Sequence, residues 1–313
     1  MKSFLSHIMC RQGGFFMVKK RSLRGKINLF LCILLVFIMF PVFITSFFGR
    51  MEAEKWFFQK PEIAITEMEE KLPRIVAKQI NIHMPEELIK AQCVIARTQL
   101  MAAQEKEETP PAEFTISQLQ ELWGEQYENY YQKLQRLAEE TVGETLQYNG
   151  NDIYAAYHQV SAGNTRTMQE YYEKSEMPYL VGVSCHEDTS AAGYLNVYFW
   201  TKEEFINLCK SVFPEETISG GSDIQIQKRD SAGYVLQVQV GQTMYEGETF
   251  RKKLNLPSSH FELTLLEEDV RIVTMGQGHG FGMSQHMGKV LAEEGKNYRE
   301  ILEYFYNGVI ILE

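Results

Sequence analysis

Cysteine is scarce in this chain, and its few cysteines lack the spacings that build disulfide frameworks or zinc clusters. Five are present among 313 residues. Cys10 and Cys32 lie near the amino terminus, and the other three, Cys93, Cys185 and Cys209, are odd in number with no close pair. The seven histidines are scattered. The sequence therefore predicts no disulfide framework, no metal site and no other cofactor.

Acidic residues are absent from the first 50 positions, which hold eight lysines or arginines. Positions 27–48 are mostly apolar and uncharged, and a helix of that length crosses a bilayer core. Basic residues cluster at 19–26, so the positive-inside rule predicts a cytoplasmic tail at 1–26, a transmembrane helix at 27–48 and an outer region beyond it. We therefore expect a single-pass protein of the cell membrane, with its carboxyl-terminal domain outside the cytoplasm.

The alternative to an anchor at 27–48 is a cleaved signal peptide. The apolar run is too long for the core of a signal peptide. No small-residue cleavage site follows it. Both observations favour an uncleaved anchor.

Positive charge is in short supply beyond this tail. Of 31 Lys and Arg residues, 23 lie after position 50, against 41 Asp and Glu, so the outer region carries a net charge of −18. Phosphate contacts need clustered basic side chains. We therefore expect no nucleic-acid partner.

Helical patterns lie at both ends of the outer region, and strand patterns fill its middle. After a connector at 49–61, the domain at 62–313 opens with apolar residues at helical spacing from Leu72 to Ile80. Pro85 begins a second helix, which runs to about Lys106. Further helices are predicted at 127–141, 202–213, 285–294 and 298–306, and strands at 144–148, 152–157, 179–184, 194–200, 223–228, 234–240, 260–266 and 270–275. This order predicts an α+β fold with a mainly antiparallel sheet and helices at both ends of the domain.

Local signals mark several boundaries of these elements. Asn149-Gly150 indicates a hairpin turn. Thr201 with Glu204, and Asn297 with Glu300, have the spacing of capping boxes. Each box predicts that a helix begins at the next residue.

The most informative stretch is Gly276-Gln277-Gly278-His279-Gly280-Phe281-Gly282-Met283-Ser284-Gln285, in which four glycines alternate. If this segment is extended, one face carries no side chain, and another backbone or a flat ligand can approach it closely. His279 and Phe281 then point the other way, and Ser284 caps the next helix. The alternative is a tight connection packed under the sheet.

Other motifs accompany the glycine segment in a fixed order. Glu87-Leu88-Ile89-Lys90-Ala91-Gln92-x-x-x-Ala96-Arg97-Thr98 lies near the other end of the domain. Between the two come Ser161-Ala162-Gly163-Asn164-Thr165, Pro178-Tyr179-Leu180, Arg229-x-Ser231-Ala232-Gly233-Tyr234-Val235 and Gly247-x-x-Phe250-Arg251-x-x-Leu254. Over about residues 62–312, this order resembles the stage II sporulation protein D family and its amidase-enhancer relatives.

The resemblance implies a lytic transglycosylase that cuts peptidoglycan glycan strands stripped of their stem peptides and leaves a 1,6-anhydro sugar. Family members act outside the membrane during engulfment of the forespore, beside an amidase that removes those peptides. The implied partners are glycan strands, the membrane, an amidase and other engulfment membrane proteins. Members with a metal site carry extra Cys and His residues that this chain lacks around 105–125, so we expect no structural zinc.

The family pattern also carries candidate glycan-binding residues onto this chain. They are Lys90, Gln92, Arg97, Ser161, Gly163, Thr165, His279, Gly280, Gly282, Met283, Ser284 and Gln285. A neutral imidazole at His279 can bind sugar hydroxyls, or it can be a structural hydrogen-bonding histidine. Lys90 and Arg97 are otherwise exposed solubilising charges. Ser161 and Thr165 otherwise form a turn.

Glutamine stands where the resemblance implies the catalytic acid. The family places a Glu eight residues before the position of Glu87, and this chain has Gln79 there, aligned without a gap. A carboxyl with a raised pKa can protonate the departing glycosidic oxygen, whereas an amide cannot. We therefore expect weak or absent cleavage, unless Glu86 or Glu87 substitutes. The structural alternative is a buried Gln79 amide bonded to the next loop.

Three function classes stay open for the outer domain. It is an active lytic transglycosylase, a catalytically silent relative that binds glycan or supports a partner amidase, or an unrelated membrane-anchored binding domain. The motifs in register argue against the third class. Mass spectrometry of digested peptide-free glycan separates the first two.

Overall fold

The computed structural model describes residues 62–172 and 177–312. Within these two ranges no helix is both long enough and apolar enough to cross a membrane. The predicted transmembrane helix at 27–48, the tail before it and the connector at 49–61 lie outside the described residues. The described residues therefore belong to the predicted outer domain alone.

Helices build the amino-terminal part of this domain. They are α1 (Glu62–Gln79), α2 (Glu86–Glu105), α3 (Ile116–Trp123) and α4 (Tyr127–Glu139). The helix predicted to begin at Pro85 begins one residue later, with Pro85 as its N-cap, and two glutamates in its first turn complement the helix dipole. Helix α3, which begins with a capping box between Thr115 and Gln118, was not predicted from the sequence. The box uses Gln rather than Glu, and the helix has only eight residues.

The rest of the described chain alternates short strands with helices. In chain order these elements are β1 (Thr145–Tyr148), β2 (Asn151–Asp152), β3 (Tyr157–His158), α5 (Met168–Tyr171), β4 (Leu195–Thr201), α6 (Lys202–Val212), β5 (Ile224–Arg229), β6 (Val235–Val240), β7 (Thr243–Glu246), α7 (Gly247–Lys253), β8 (Phe261–Leu265), β9 (Asp269–Met275), β10 (Met283–Ser284), α8 (Gln285–Glu293), α9 (Tyr298–Phe305) and β11 (Ile310–Leu312). The hairpin turn at Asn149-Gly150 and the capping boxes at Thr201 and Asn297 are confirmed.

The described strands form four small sheets rather than one. Their orders are β11-β1-β2, β10-β3, β4-β9-β8 and β5-β6-β7. Only the short β3–β10 pair is parallel among these pairings. The predicted α+β fold with mainly antiparallel pairing and helices at both ends is therefore confirmed for the described residues.

The strand predicted at 179–184 is wrong. The segment makes a single isolated bridge, between Asn164 and Ser184. The Thr165 hydroxyl donates to the carbonyl of Val181 at 3.0 Å and accepts the amide of Val183 at 2.8 Å. One side chain thus satisfies backbone groups that a neighbouring strand would otherwise pair. The strand predicted at 152–157 is likewise reduced to the separate elements β2 and β3.

Two apolar cores hold the domain together. The first packs α1 and α2 against the carboxyl-terminal helices through residues such as Leu72, Leu88 and Ile301. The second lies among the strands β4 to β9, around Phe205 and Phe250. Because α8 and α9 return to α2, the start of α8 comes close to the end of α1.

The glycine segment approaches the chain before β3 so closely that a side chain has no space. Gly282 has φ +65°, and a Cβ there would lie 1.9 Å from the carbonyl oxygen of Ala156. Gly143 has a similar φ of +77°, but nothing lies within 4 Å of the corresponding position. A substitution at Gly143 therefore introduces backbone strain alone, whereas one at Gly282 introduces both strain and steric overlap.

We predict that Gly282→Ala lowers the free energy of unfolding more than Gly143→Ala does. A left-handed alanine costs about 1–2 kcal/mol at either position, and overlap adds about 1–3 kcal/mol at Gly282 alone. Chemical denaturation of the purified variants, followed by circular dichroism, measures the difference. Equal losses in the two variants would show that the close approach at Ala156 does not constrain the fold.

Candidate functional site

A groove of about 480 Å³ opens beside the end of α1, and Gln79 lines it. Its walls come from α1, α2, the loop after α2 and the segment between β2 and β3. They include Lys78, Gln99, Lys106, Glu108, Pro111, Tyr154 and Tyr157. Tyr154 is 48% exposed. Of the candidate residues predicted from sequence, Gln79 is the one on this groove wall.

Gln79 belongs to a chain of amide hydrogen bonds. Its Nε2 donates to Oε1 of Gln99 at 3.0 Å, and its Oε1 accepts from Nε2 of Gln92 at 2.7 Å. Nε2 of Gln285 donates to Oε1 of Gln92 at 3.1 Å and to the backbone carbonyl of Gln79 at 2.9 Å. Nε2 of Gln99 donates to the carbonyl of Ala155 at 2.7 Å. The predicted residues Gln79, Gln92 and Gln285 are thus brought together, and Gln99 is a member that sequence reasoning missed.

The four alternating glycines do not form an extended strand. Gly276, Gly278, Gly280 and Gly282 all have positive φ, between +65° and +109°. A Cβ on Gly278 would lie 2.7 Å from Cβ of His158, and one on Gly280 would lie 2.5 Å from the ring of Tyr234. Protein atoms occupy the bare face. This arrangement matches the alternative of a tight, packed connection.

His279 makes its hydrogen bonds to the backbone. Its Nδ1 accepts the amide of Phe281 at 3.1 Å, and its ring also bonds the backbone of Tyr157. Burial, aided by the nearby Arg251 and Arg166 guanidinium groups, lowers the pKa of His279 to about 4. Burial likewise lowers the pKa of His158 to about 3. Both rings are neutral at pH 7, and the contacts of His279 match the structural alternative.

Arg166, which sequence reasoning missed, holds the glycine segment in place. Its fully buried side chain pairs with Asp230 at 2.6 Å. Its backbone amide donates to the carbonyl of Gly280 at 2.8 Å, and its Nη1 donates to the carbonyl of His279 at 3.2 Å. A buried Arg–Asp pair with no local spacing in sequence carries no sequence signal. Arg166 directly follows the Ser161–Thr165 motif, and Asp230 is the second residue of the motif that begins at Arg229.

Asp188 fastens the Ser161 turn to the end of the glycine segment. Its Oδ2 accepts the backbone amide of Ser161 and the hydroxyl of Ser284, each at 2.7 Å. Burial raises the pKa of this carboxyl above its ordinary value. Ser161 also accepts the amide of Gly163 through its hydroxyl at 3.1 Å. Together with the Thr165 bonds, these contacts match the turn predicted as the alternative for Ser161 and Thr165.

The remaining predicted residues are held by other protein groups. Arg97 is 3% exposed, pairs with Glu69 at 2.5 Å and donates to two backbone carbonyls, so it is not an exposed solubilising charge. Lys90 is partly buried between Glu87 and Glu140. Met283 is fully buried. None of these three side chains lines the groove beside Gln79.

Neither carboxylate proposed to substitute for the acid lines the groove. Glu86 pairs with Arg136 at 2.7 Å. Glu87 pairs with Lys90 and accepts the backbone amide of Tyr298 at 2.8 Å. Among the groove residues described, the carboxylate is Glu108, in the loop after α2.

The described part of the chain has no cluster of side chains suited to thiol catalysis or to metal binding. Cys93, Cys185 and Cys209 are free and buried, and burial raises the pKa of each thiol to about 12. Among residues 62–172 and 177–312, no three His, Cys, Asp or Glu side chains are grouped to hold a metal ion.

Comparison with known proteins gives consistent matches. A family profile described as stage II sporulation protein matches residues 59–148. The chain is 29% identical over 262 residues to stage II sporulation protein D of Bacillus subtilis (strain 168), covering 79% of this chain and 74% of that protein. It is also 24% identical over 226 residues to an amidase enhancer of the same organism, covering 56% of this chain and 32% of that protein. These matches confirm the resemblance to stage II sporulation protein D that the motifs indicate.

Proposed function

We propose that this chain is a sporulation protein that binds peptide-stripped peptidoglycan glycan strands in the groove beside Gln79 and cuts them weakly or not at all. The observation that carries this proposal is the amide of Gln79, fixed on the groove wall where the family resemblance implies an acid. The relative named for stage II of sporulation supports the biological setting.

The groove has the chemistry that a sugar chain requires. The half-exposed ring of Tyr154 offers an apolar face on which a pyranose can stack, and the Tyr157 ring lines the same wall. The Gln79 and Gln99 amides offer hydrogen-bonding groups for hydroxyl and acetamido groups. Lys78 and Lys106 also line the groove, and they complement the carboxylate that a muramic acid exposes once its peptide is gone.

Weak cleavage is the expected consequence of the amide itself. The leaving oxygen of a glycosidic bond must be protonated as it departs, and the same group then serves as base for attack by the 6-hydroxyl of the sugar. Gln79 keeps the shape of a glutamic acid but cannot transfer a proton at a useful rate. Glu108 lies on the groove wall, so it is the carboxylate whose participation has to be tested.

A second candidate function is support of a partner amidase or of other engulfment membrane proteins. The similarity to a protein named amidase enhancer favours it. In this role the domain holds glycan beside an enzyme that removes stem peptides. Binding without cutting suits that role, because the strand then stays in place.

Glycan binding should depend on Tyr154. We predict that Tyr154→Ala weakens binding of chito-oligosaccharide by about 3-fold to 10-fold, because the stacking face is lost. Phe199→Ala is the matched control, since Phe199 is an exposed aromatic residue outside the groove. Isothermal titration calorimetry measures both affinities. If the two variants lose affinity equally, or neither does, the groove is not the glycan site.

Cleavage should depend on the group at position 79. We predict little 1,6-anhydro product from purified peptide-free glycan strands with the natural chain, and about 10²-fold to 10⁴-fold more with Gln79→Glu, because general acid catalysis is supplied. Mass spectrometry of the digest detects the product. Glu108→Gln in the natural background is the control for residual activity. Robust cleavage by the natural chain that survives Gln79→Ala would refute the proposal.

We propose further that the chain is anchored in the cell membrane by the helix predicted at 27–48, with residues 50–313 outside. The basic cluster before an uncharged apolar run supports this topology. Protease added to intact protoplasts should then digest the outer domain and spare residues 1–26. Immunoblotting with tags at both ends distinguishes the two fragments. Digestion of the amino-terminal tag alone would mean the opposite orientation.

A further inference from the structure

The hydrogen bonds around Gln79 have a direction that the backbone imposes. At one end, the carbonyl of Ala155 can only accept, so the group of Gln99 that faces it must be the NH₂ group. Oε1 of Gln99 then faces Gln79. An acceptor at that point requires a donor from residue 79.

The other end of the chain gives the same direction independently. The backbone carbonyl of Gln79 can only accept, so the facing atom of Gln285 is its nitrogen, which also donates to Oε1 of Gln92. The NH₂ group of Gln92 then faces Oε1 of Gln79. Two fixed carbonyls thus orient all four amides in a single sense.

We propose that Gln99 and Gln285 are positioning residues that fix residue 79 as a hydrogen-bond donor, with one N–H on Gln99 and the second directed to an acceptor oxygen of the glycan. This inference rests on the proposed function for the identity of the ligand. An amide nitrogen carries two hydrogens, and Gln99 uses one of them. The ligand group that fits is an acetamido carbonyl, a hydroxyl or a ring oxygen.

The same geometry disfavours a carboxylate at position 79. An ionised Glu would place an oxygen against Oε1 of Gln99, acceptor against acceptor. Rotating the Gln99 amide only moves the conflict to the carbonyl of Ala155. A protonated Glu satisfies Gln99 through its O–H, so the site accepts the neutral acid and resists its ionisation.

Charged groups near the site are few and of both signs. Lys78, Lys106 and Glu108 line the groove, together with the phenols of Tyr154 and Tyr157. The groups that contact the Gln79 side chain directly, Gln92 and Gln99, carry no charge. The lysines favour an ionised carboxyl at position 79, and Glu108 opposes it. The effect of Gln99 on the pKa of that carboxyl must therefore be isolated by substituting Gln99.

The test is the melting temperature of Gln79→Glu as a function of pH, relative to the natural protein. A folded-state pKa above the unfolded value of about 4.3 leaves relative stability unchanged below about pH 4 and lowers it as pH rises through the folded pKa. We expect such a decline, with a folded pKa raised by about one unit or more. Gln120→Glu, at an exposed position, controls for the added charge and should show no such decline.

The double variant Gln79→Glu, Gln99→Met isolates the acceptor. It removes Oε1 of residue 99 and nearly preserves the side-chain volume. Because the ionised Glu then no longer faces an acceptor, the decline in relative melting temperature between pH 4 and 8 should shrink. An unchanged decline would assign the effect to burial and overturn the role of Gln99. A Gln79→Glu profile that follows that of Gln120→Glu would overturn the proposal altogether. Neither outcome involves glycan, so both are distinguishable from failure of the proposed function.

Binding of chito-oligosaccharide tests the second N–H. A protonated Glu at position 79 has a single hydrogen, and its bond to Gln99 uses that hydrogen, so Gln79→Glu should bind weakly at pH 4 and no more tightly at pH 8, while the natural protein binds well at both. Gln79→Met, which has no donor and nearly the same volume, should bind about fivefold to tenfold more weakly at both pH values. Full affinity in Gln79→Met would show that the amide donates nothing to the ligand.

Discussion

The buried ion pair between Arg166 and Asp230 is the interaction on which the rest of the site depends. Both side chains are inaccessible to solvent, and the guanidinium group lies 4.5–5.0 Å from the centroids of the Tyr171, Tyr234 and Phe281 rings. Losing one member of such a pair costs about 3–5 kcal/mol, because the remaining charge stays buried without compensation. The three rings add cation–π attraction in a desolvated setting. The pair is therefore a fixed point for the chain around it.

That fixed point joins the strand-rich part of the domain to the helical part. Asp230 lies in the turn between β5 and β6, and its Oδ1 accepts the backbone amide of Tyr234 at 2.8 Å. The Tyr234 ring contacts Gly280, and its hydroxyl accepts the amide of Ala162. The glycine segment is thus pressed between Arg166, Tyr234 and the chain before β3. It leads directly into α8, whose first residue, Gln285, orients Gln79. The Arg166–Asp230 pair is therefore connected to the groove through the glycine segment and α8, although neither residue lines the groove.

Local chemistry explains which parts of this structure were predictable. The capping boxes at Thr201 and Asn297, the Asn149-Gly150 turn and the periodicity of α1 and α2 depend on residues within one or two turns of each other, and the sequence predicts them correctly. The strand expected at 179–184 was wrong because the Thr165 hydroxyl, 16 and 18 positions away, bonds backbone groups of Val181 and Val183. The partners Arg166 and Asp230 were missed for the same reason: they are 64 positions apart. Periodicity does not report contacts made across such distances.

Some residues of the candidate site were likewise predictable from local motifs, and others were not. The positions of Gln79, Gln92 and Gln285 followed from motif spacing, whereas Gln99, Tyr154 and Glu108 required the fold. The alternating glycines indicated a close approach correctly, but the structure shows that the approaching group is protein, at His158, Tyr234 and Ala156. Positive φ at all four glycines explains why alternation here does not mean a strand.

Glutamine and protonated glutamic acid have nearly the same shape, and at position 79 they would differ in whether the side chain can transfer a proton. The hydrogen-bond chain from Ala155 to Gln285 requires a donor from residue 79, and both glutamine and a protonated glutamic acid meet that requirement. The scaffold is therefore indifferent to the exchange at low pH, and the cost of an acid arises only when it ionises. Under the proposed function, exchanging an acid for an amide removes proton transfer without changing the shape of the site. The groove, the tyrosine face and the oriented amides are then the features that the proposed binding of a strand uses.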